Sequence, residues 1–331
     1  MRVGITYDLR DEYLAEGYGE EETGEFDRPD TIDAIEGALR ELGYETARIG
    51  HIRHLVEKLA RGERWDLVFN IAEGLRGLSR EAQVPALLDA YDIPYTFSDA
   101  VALSLTLNKA TTKRIVRSLG VPTPDFAVVE SLQDLSGIDL PFPLFAKPVA
   151  EGTGKGISAA SRITDRHELE KTCGWLLEKY KQPALIETFL PGREFTVGVV
   201  GTGKQAKAIG VMEVVLKEEA ELHAYSYWNK EKCEDLVNYG LVAGAVAEKS
   251  KEIALVVHRG LDCRDAGRID LREDADGNLS FMEINPLPGL HPEHSDLPIL
   301  CTMVGIGYRE LMEDIMNSAV ARLSRPREGL E

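Results

Sequence analysis

The sequence predicts an α/β protein of two or three domains, and three observations lead to that prediction. The chain has 331 residues, more than a single domain of about 100–200 residues holds. In its first third, short apolar runs alternate with amphipathic segments, the pattern of a small parallel sheet covered by helices. After Leu107, several strand-like segments follow one another around fewer helices, which is typical of α+β units.

The first third contains elements in the order β-α-α-β-α. Apolar residues recur every three or four positions in Thr31–Leu42, which predicts a helix that ends at Gly43. The other predicted elements are helices at Ile52–Leu59 and Ala82–Ala90, and extended segments at Val3–Tyr7, Trp65–Ile71 and Ile93–Phe97.

An acidic segment, Asp11–Asp30, lies between the first strand and the first long helix. It contains nine carboxylates and one arginine, so its charge predicts a solvated surface loop. The alternative is a flap over a site at the end of the first strand, because open α/β sheets bind ligands at that edge.

From Leu107 onward the sequence predicts four helices and seven strands. The two prolines of Val121–Pro124 favour an extended connection, and Asp274–Asn278 is predicted to be a hairpin turn. The helices are Lys109–Leu119, His167–Tyr180, Ala243–Leu261 and Tyr308–Ala321. The strands are Leu144–Lys147, Ile157–Ala160, Leu185–Glu187, Glu194–Val200, Ala208–Leu216, Gly267–Arg272 and Leu279–Ile284.

The composition argues against some classes of function. The chain has 38 Lys and Arg residues against 56 Asp and Glu, a formal charge of −18. So acidic a chain is a poor candidate for binding nucleic acid or an anionic membrane. No apolar run reaches transmembrane length, and the first residues lack the pattern of a secretory signal. The four cysteines form no CxxC motif, so we expect free thiols and a cytoplasmic protein.

A glycine-rich loop follows the predicted strand that ends at Lys147. The loop contains Glu151, Gly152, Thr153, Gly154, Lys155 and Gly156. Glycines let backbone N–H groups approach an anion closely, and Lys147 and Lys155 bring positive charge to an acidic chain. We therefore predict a loop that covers phosphates, with an ordinary glycine-rich hairpin as the alternative.

Two strands joined by the predicted hairpin turn carry acidic and amide side chains. The turn puts Asp270 and Glu283 side by side, and Glu283 shares a strand face with Asn285, two residues later. Arg268 shares a face with Asp270 in the same way. Carboxylate and amide oxygens are ligands that magnesium prefers beside phosphates. We predict a magnesium site here, with a polar, solvent-facing hairpin as the alternative.

Taken in order, these motifs resemble the ATP-grasp superfamily, and within it the D-alanine–D-alanine ligase family. The resemblance extends from about Trp65 to Ala321. The matching segments are Asn108-Lys109, Phe145–Pro148, Glu151–Gly156, Ile186-Glu187, Arg193–Val197, Gly267–Asp270 and Glu283–Gly289. The resemblance implies an ATP-grasp fold with an N-terminal α/β domain at 1–105, a central α+β domain at 106–188, a C-terminal α+β domain at 189–322 and a flexible tail at 323–331.

The resemblance also implies ATP as a cosubstrate and two Mg²⁺ ions, with Mn²⁺ as an alternative. The phosphate contacts would come from Lys109, Lys147 and the glycine-rich loop. The nucleoside contacts would come from Glu187, the backbone near Leu190, and Glu194. The metal ligands would be Asp270, Glu283 and Asn285.

The implied reaction joins two amino acids. A carboxylate attacks the γ-phosphate of ATP to give an acyl phosphate, and an amine then displaces phosphate. Arg268 and the loop from Gly289 to Ser295 would bind the carboxylate of the second substrate, and Arg268 would also face the tetrahedral intermediate. Lys230 matches a loop lysine of the family that reaches the γ-phosphate, with an exposed lysine as the alternative. A homodimer is one assembly that the sequence leaves open.

The predicted first-substrate site departs from the family pattern. The family's glutamate lies in a short loop that the acidic segment replaces here, and Glu25 is its loose counterpart. The family's histidine is Glu73 in this chain. We expect Glu73 to pair with a cation, either Arg76 or Arg80 or the ammonium of a substrate. The alternatives to a D-alanine–D-alanine ligase are a ligase for other amino acids or amines, and a nucleotide-binding module without ligase activity.

Overall fold

The computed structural model of the protein describes residues 1–217 and 233–323. Lys230 lies outside these residues, as does the predicted tail beyond Leu323. The described chain forms three sheets, one parallel and two antiparallel. Residues that lie on or near the strands of all three sheets line the two cavities described below.

The N-terminal sheet is parallel, with the strand order β2-β1-β3. Its strands are β1 (Arg2–Thr6), β2 (Glu45–Gly50) and β3 (Leu67–Asn70). The accompanying helices are α1 (Arg10–Ala15), α2 (Pro29–Glu41), α3 (Ile52–Ala60) and α4 (Gln83–Ala90). The predicted parallel α/β region is confirmed, and β2 is a strand that the sequence pattern did not reveal. Its side chains are mostly half-buried or exposed, so it lacks a continuous apolar run.

The acidic segment packs against the rest of the molecule. Tyr13 and Phe26 are buried with their ring centroids 4.5 Å apart, and the Thr23 side chain is also buried. Glu21 pairs with Lys179 at 2.5 Å, beyond the N-terminal sheet. The expectation of a solvated loop is therefore wrong for these residues. Gly24–Arg28 of the segment line the larger cavity described below, and a flap over a ligand site stays a prediction.

The central region begins with two consecutive helices, α5 (Ala100–Leu107) and α6 (Lys109–Ser118). Four strands follow in the antiparallel order β4-β7-β5-β6, with helix α7 packed on them. The strands are β4 (Phe126–Val129), β5 (Leu144–Pro148), β6 (Arg162–Ile163) and β7 (Ala184–Thr188), and the helix is α7 (Arg166–Tyr180). The predicted strand Ile157–Ala160 is wrong: the Ser158 side chain accepts a hydrogen bond from Ala160 and starts a tight helical turn before β6.

The third sheet has five antiparallel strands in the order β10-β9-β8-β11-β12. They are β8 (Glu194–Val200), β9 (Lys207–Leu216), β10 (Val237–Leu241), β11 (Ala266–Glu273) and β12 (Leu279–Asn285). The helices of this part are α8 (Cys233–Leu236), α9 (Ala245–Gly260), α10 (Asp296–Met303) and α11 (Tyr308–Leu323).

One hydrophobic core connects the two ends of the described chain. Ile35 and Leu39 of α2 are fully buried in the same cluster as Ile315 and Met316 of α11. The last helix therefore stabilises the N-terminal sheet, although it follows the third sheet in the sequence. Among the described residues, no helix is both long and apolar enough to cross a membrane.

Candidate active site

The pairing of β11 with β12 forms the acidic side of the site. Asp270 lies opposite Glu283, and Arg268 lies opposite Asn285. Asp270 accepts hydrogen bonds from Arg268 at 3.1 and 2.9 Å and from the Thr196 hydroxyl at 3.0 Å. The expected pairing is present, and it is produced by a β-bulge between Asp270 and Leu271 in which Met282 is the extra residue.

Lys109 brings positive charge to this acidic side. It is the first residue of α6, and the side chain of Asn108 caps that helix by accepting a hydrogen bond from the Thr111 N–H. The Lys109 ammonium lies 3.6 Å from the Glu283 carboxylate and donates to the Glu151 carbonyl. Lys109 therefore connects the β11–β12 hairpin to the glycine-rich loop.

Glu187 is buried between two lysines. Its carboxylate oxygens lie 2.6 Å from Lys113 Nζ and 2.8 Å from Lys147 Nζ. Burial opposes the charge of Glu187, yet the two lysines hold its pKa below its usual range. Burial, with Lys147 nearby, lowers the pKa of Lys113 to about 8. Lys113 belongs to no motif in the sequence; its position four residues after Lys109, on the same side of α6, is the signal that points to it.

The glycine-rich loop turns sharply after β5. Gly154 and Gly156 have φ values of +70° and +74°, a region that glycine adopts without strain. A Cβ on Gly156 would lie 2.6 Å from Pro148 and 3.0 Å from the Tyr180 ring. A side chain at this position would therefore force the loop away from α7.

Glu25 of the acidic segment contacts the glycine-rich loop. Its carboxylate accepts hydrogen bonds from Arg80 at 3.0 and 2.9 Å, from Lys155 at 3.1 Å and from the Gly152 N–H at 2.5 Å. Burial opposes the charge of Glu25, but Arg80 and Lys155 lower its pKa to about 2. Lys155, predicted among the phosphate contacts, directs its ammonium to Glu25 in this arrangement.

Two cavities meet at Lys109 and Glu151, which line both. The smaller has a volume of about 70 Å³ and includes, from the predicted set, Lys147, Gly154, Lys155, Glu194, Asp270 and Glu283. The larger has a volume of about 230 Å³ and includes Glu25, Glu73, Gly152, Thr153, Arg268, Asn285, Gly289 and Ser295. Of the predicted residues that the structure describes, four line neither cavity: Arg80, Gly156, Glu187 and Leu190.

Arg268 is shared between two carboxylates at the edge of the larger cavity. Besides its contacts with Asp270, it donates to Asp296 at 2.8 Å. Burial opposes the charge of Arg268, but the two carboxylates raise its pKa. Ser295 lies just before Asp296, and a Cβ on Gly289 would lie 2.7 Å from the Ser295 hydroxyl oxygen. The predicted second-substrate residues are therefore close together, with Asp296 as a buried acid that no motif revealed.

Three further carboxylates line the larger cavity on its N-terminal side: Asp27, Glu73 and Glu81. Each residue is partly buried. The expected pairing of Glu73 with an arginine does not occur among the described residues, because Arg80 binds Glu25 and Arg76 contacts Tyr18. Asp27 and Glu81 were not singled out by any motif. Asp27 lies before the region of the family resemblance, and Glu81 lies outside its matching segments, so only their charge was visible in the sequence.

The comparisons with known proteins agree with this geometry. The family model described as D-ala D-ala ligase C-terminus matches residues 115–317. A D-alanine–D-alanine ligase of Aquifex aeolicus is 32% identical over 288 residues, which cover 86% of this chain and 93% of the relative. An uncharacterized protein of Sinorhizobium fredii is 30% identical over 304 residues, which cover 88% and 87% of the two chains.

A crystal structure of D-alanine–D-alanine ligase from Bacillus anthracis complexed with ATP has a similar fold. The TM-score is 0.74 at 20% sequence identity, with 97% of each chain covered. The fold class is therefore that of the ATP-grasp ligases, as the motifs implied. Within that class, the chain belongs to the D-alanine–D-alanine ligase family.

Proposed function

We propose that the protein is an ATP-dependent ligase that joins two amino acids through an acyl phosphate and releases ADP and phosphate. The observation that carries this proposal is the meeting of two cavities at Lys109. One cavity combines lysine ammonium groups with closely placed carboxylates, and the other leads to Arg268. Membership of the D-alanine–D-alanine ligase family supports the same reaction.

The smaller cavity would hold the phosphates of ATP. Lys109 and Lys147 supply positive charge there, and such charge-assisted contacts are among the stronger hydrogen bonds in proteins. We assign the adenine to the region of Glu187 and Leu190, and the ribose to Glu194, which also lines this cavity. The backbone of residues 151–156 would cover the phosphates, with Gly152 N–H held by Glu25.

The donor set on β11 and β12 fits magnesium. Asp270 and Glu283 offer carboxylate oxygens beside the phosphate cavity, and Asn285 offers an amide oxygen on the same strand as Glu283. We propose two Mg²⁺ ions at these ligands, with Mn²⁺ as an alternative. Bound metal would neutralise charge that develops on the transferred phosphoryl group.

The chain's own groups would carry the remaining work. The carboxylate of the first amino acid attacks the γ-phosphorus, and ADP leaves; Lys109, at the meeting point of the cavities, would stabilise the negative charge of both partners. The deprotonated amine of the second amino acid then attacks the acyl carbon, and phosphate leaves. Arg268 lines the cavity where this attack would occur and would stabilise the resulting oxyanion.

A ligase for amino acids other than D-alanine is the second candidate, because Asp27, Glu73 and Glu81 give the larger cavity an unusual charge. The test is phosphate release from ATP and Mg²⁺ with a panel of D- and L-amino acids. A ligase releases phosphate only when a suitable amino acid is present. ATP binding without any amino-acid-dependent release would instead indicate a nucleotide-binding module.

A further inference from the structure

The first step concerns the cations on the N-terminal side of the larger cavity. Arg80 and Lys155 both contact Glu25, and the three side chains are 5%, 7% and 5% exposed respectively. Arg80 and Lys155 lie behind the cavity wall, whereas Arg10 and Arg28 line the larger cavity itself. Arg28 pairs with Asp30, and Arg10 donates to the Glu20 carbonyl. These cations therefore already have partners.

The second step concerns the carboxylates that remain. Within the described chain, no ion pair or side-chain hydrogen bond involves Asp27, Glu73 or Glu81, although all three line the cavity. Burial raises the pKa of Glu73, Glu81 and Glu25 raise it further, and Arg80 lowers it. Burial is also the main cause that raises the pKa of Asp27 to about 8 and that of Glu81 to about 7. A carboxylate that is largely removed from water and has no cation partner is costly, so these three partly buried acids favour a ligand that supplies positive charge.

The third step concerns the opposite side of the same cavity. Arg268 lines the cavity together with the predicted second-substrate residues, and both Asp270 and Asp296 offset its charge. Among the residues that the structure describes, the cavity therefore has little unpaired positive charge for a second carboxylate. One ammonium group, as in alanine, would leave most of the N-terminal carboxylates unmatched.

We propose that the first substrate is an amino acid with an additional cationic group, a diamino acid, whose ammonium groups bind to Glu73, Glu81 and Asp27. This inference rests on the proposed ligase function and specifies its substrate. The carboxylate of the diamino acid points to Lys109 and the phosphates, and its ammonium groups face the N-terminal acids. Glu25 is excluded as the ammonium ligand, because Arg80, Lys155 and Gly152 already fill its acceptor positions.

The experiment uses the full chain with ATP and Mg²⁺ and measures phosphate release. The probes are lysine, ornithine, 2,3-diaminopropionate and alanine, each as the D- and L-enantiomer. We expect at least one diamino acid to give a kcat/KM at least tenfold above that of either alanine. Phosphate release with alanine as the best substrate would overturn this inference and leave the ligase function intact. No release with any amino acid would overturn both.

Matched variants test the residues. Glu81→Gln and Glu73→Gln should each raise the KM for the diamino acid about tenfold or more and leave the KM for ATP within twofold, the pattern of lost ground-state binding. Glu41→Gln removes the same charge from an exposed position on α2 and should change neither constant. Unchanged diamino acid KM in both cavity variants would overturn the assignment. Calorimetry of diamino acid binding in the presence of a non-hydrolysable ATP analogue gives a second readout that does not depend on turnover. Wild-type affinity for the diamino acid in both variants would also overturn the assignment.

Discussion

Glu25 and Lys155 form an ion pair at 3.1 Å that joins the acidic segment to the glycine-rich loop. The two residues are 130 positions apart in the sequence, and their side chains are 5% and 7% exposed. Arg80 and the Gly152 N–H complete the shell around the same carboxylate. The conformation of the glycine-rich loop therefore depends on a residue that follows the first strand of the protein.

The first prediction concerns this contact. Glu25→Gln should lower the free energy of unfolding by roughly 3–5 kcal/mol, because removing one partner leaves buried cations uncompensated. It should also raise the KM for ATP, since the loop loses its anchor. Thermal denaturation and steady-state kinetics measure the two effects. Glu16→Gln, exposed in the same acidic segment, is the control and should resemble the wild type.

The pH dependence of this effect has a defined sign. The native-state pKa of Glu25 lies below its ordinary value of 4.5, at about 2. A carboxyl with a lowered pKa stabilises the fold fully above its ordinary value and loses that contribution as the pH falls toward the lowered value. The stability difference between the wild type and Glu25→Gln should therefore shrink below pH 4.5. A difference that stays constant down to pH 3 would contradict the ion pair.

The second prediction concerns the metal ligands. Glu283→Gln keeps the shape of the side chain and removes a charge, so turnover should fall by roughly a hundredfold or more if it holds magnesium. Raising the Mg²⁺ concentration should recover part of the loss. Asp276→Asn removes a charge from the exposed turn of the same hairpin and should leave turnover unchanged. Full activity of Glu283→Gln would remove this hairpin from the site.

The third prediction concerns ATP. Lys147→Ala should weaken ATP binding roughly 10–100-fold, the equivalent of one charge-assisted hydrogen bond. Glu187 keeps its contact with Lys113 in this variant, so the fold should remain. Calorimetry with ATP and Mg²⁺ measures the change, and Lys207→Ala, at a lysine that is 67% exposed, is the control. Equal ATP affinity in both variants would place Lys147 outside the phosphate site.

The parts of the site that the sequence predicted are those set by local pattern. Asp276 and Gly277 mark the turn between β11 and β12, which brings the two strands together. The pairing of Asp270 with Glu283 also depends on a β-bulge between Asp270 and Leu271, which the sequence did not predict. Lys109 follows the residue that caps α6, so the helix start was visible too. Strand alternation and turn residues act over a few positions, and the sequence displays them directly.

The parts that the sequence did not predict depend on contacts between distant segments. Tyr13 and Phe26 form a buried aromatic pair, although the acids around them in the sequence predicted a solvated loop. Glu25 accepts a hydrogen bond from Arg80, which lies 55 positions later in the sequence. Asp296 becomes a buried partner of Arg268 only because α10 starts beside β11. Tertiary packing decides each of these contacts, and no local period encodes it.

The last prediction concerns the charge of the larger cavity in the absence of substrate. Burial, together with Asp8 and Asp30, raises the pKa of Asp27 from 3.8 to about 8. Between these two pH values, Asp27 is protonated in the native state and ionised in the unfolded chain. Its contribution to the free energy of unfolding therefore falls as the pH rises through this range. The side chain at position 27 cannot ionise in Asp27→Asn, so this variant does not lose stability in this way.

Asp27→Asn should therefore melt at a temperature roughly 2–4 °C above the wild type at pH 8.5, and the gain should shrink as the pH is lowered toward 4. Asp276→Asn, exposed on the far hairpin, should show no gain at any pH. A bound diamino acid should reverse the order at pH 8.5, because its ammonium stabilises the Asp27 carboxylate in the wild type and finds no charge in the variant. Equal melting temperatures of the wild type and Asp27→Asn from pH 4 to 8.5 would contradict this prediction. They would show that Asp27 is as well solvated in the native state as in the unfolded chain, and Asp27 would then not belong to the proposed ammonium site.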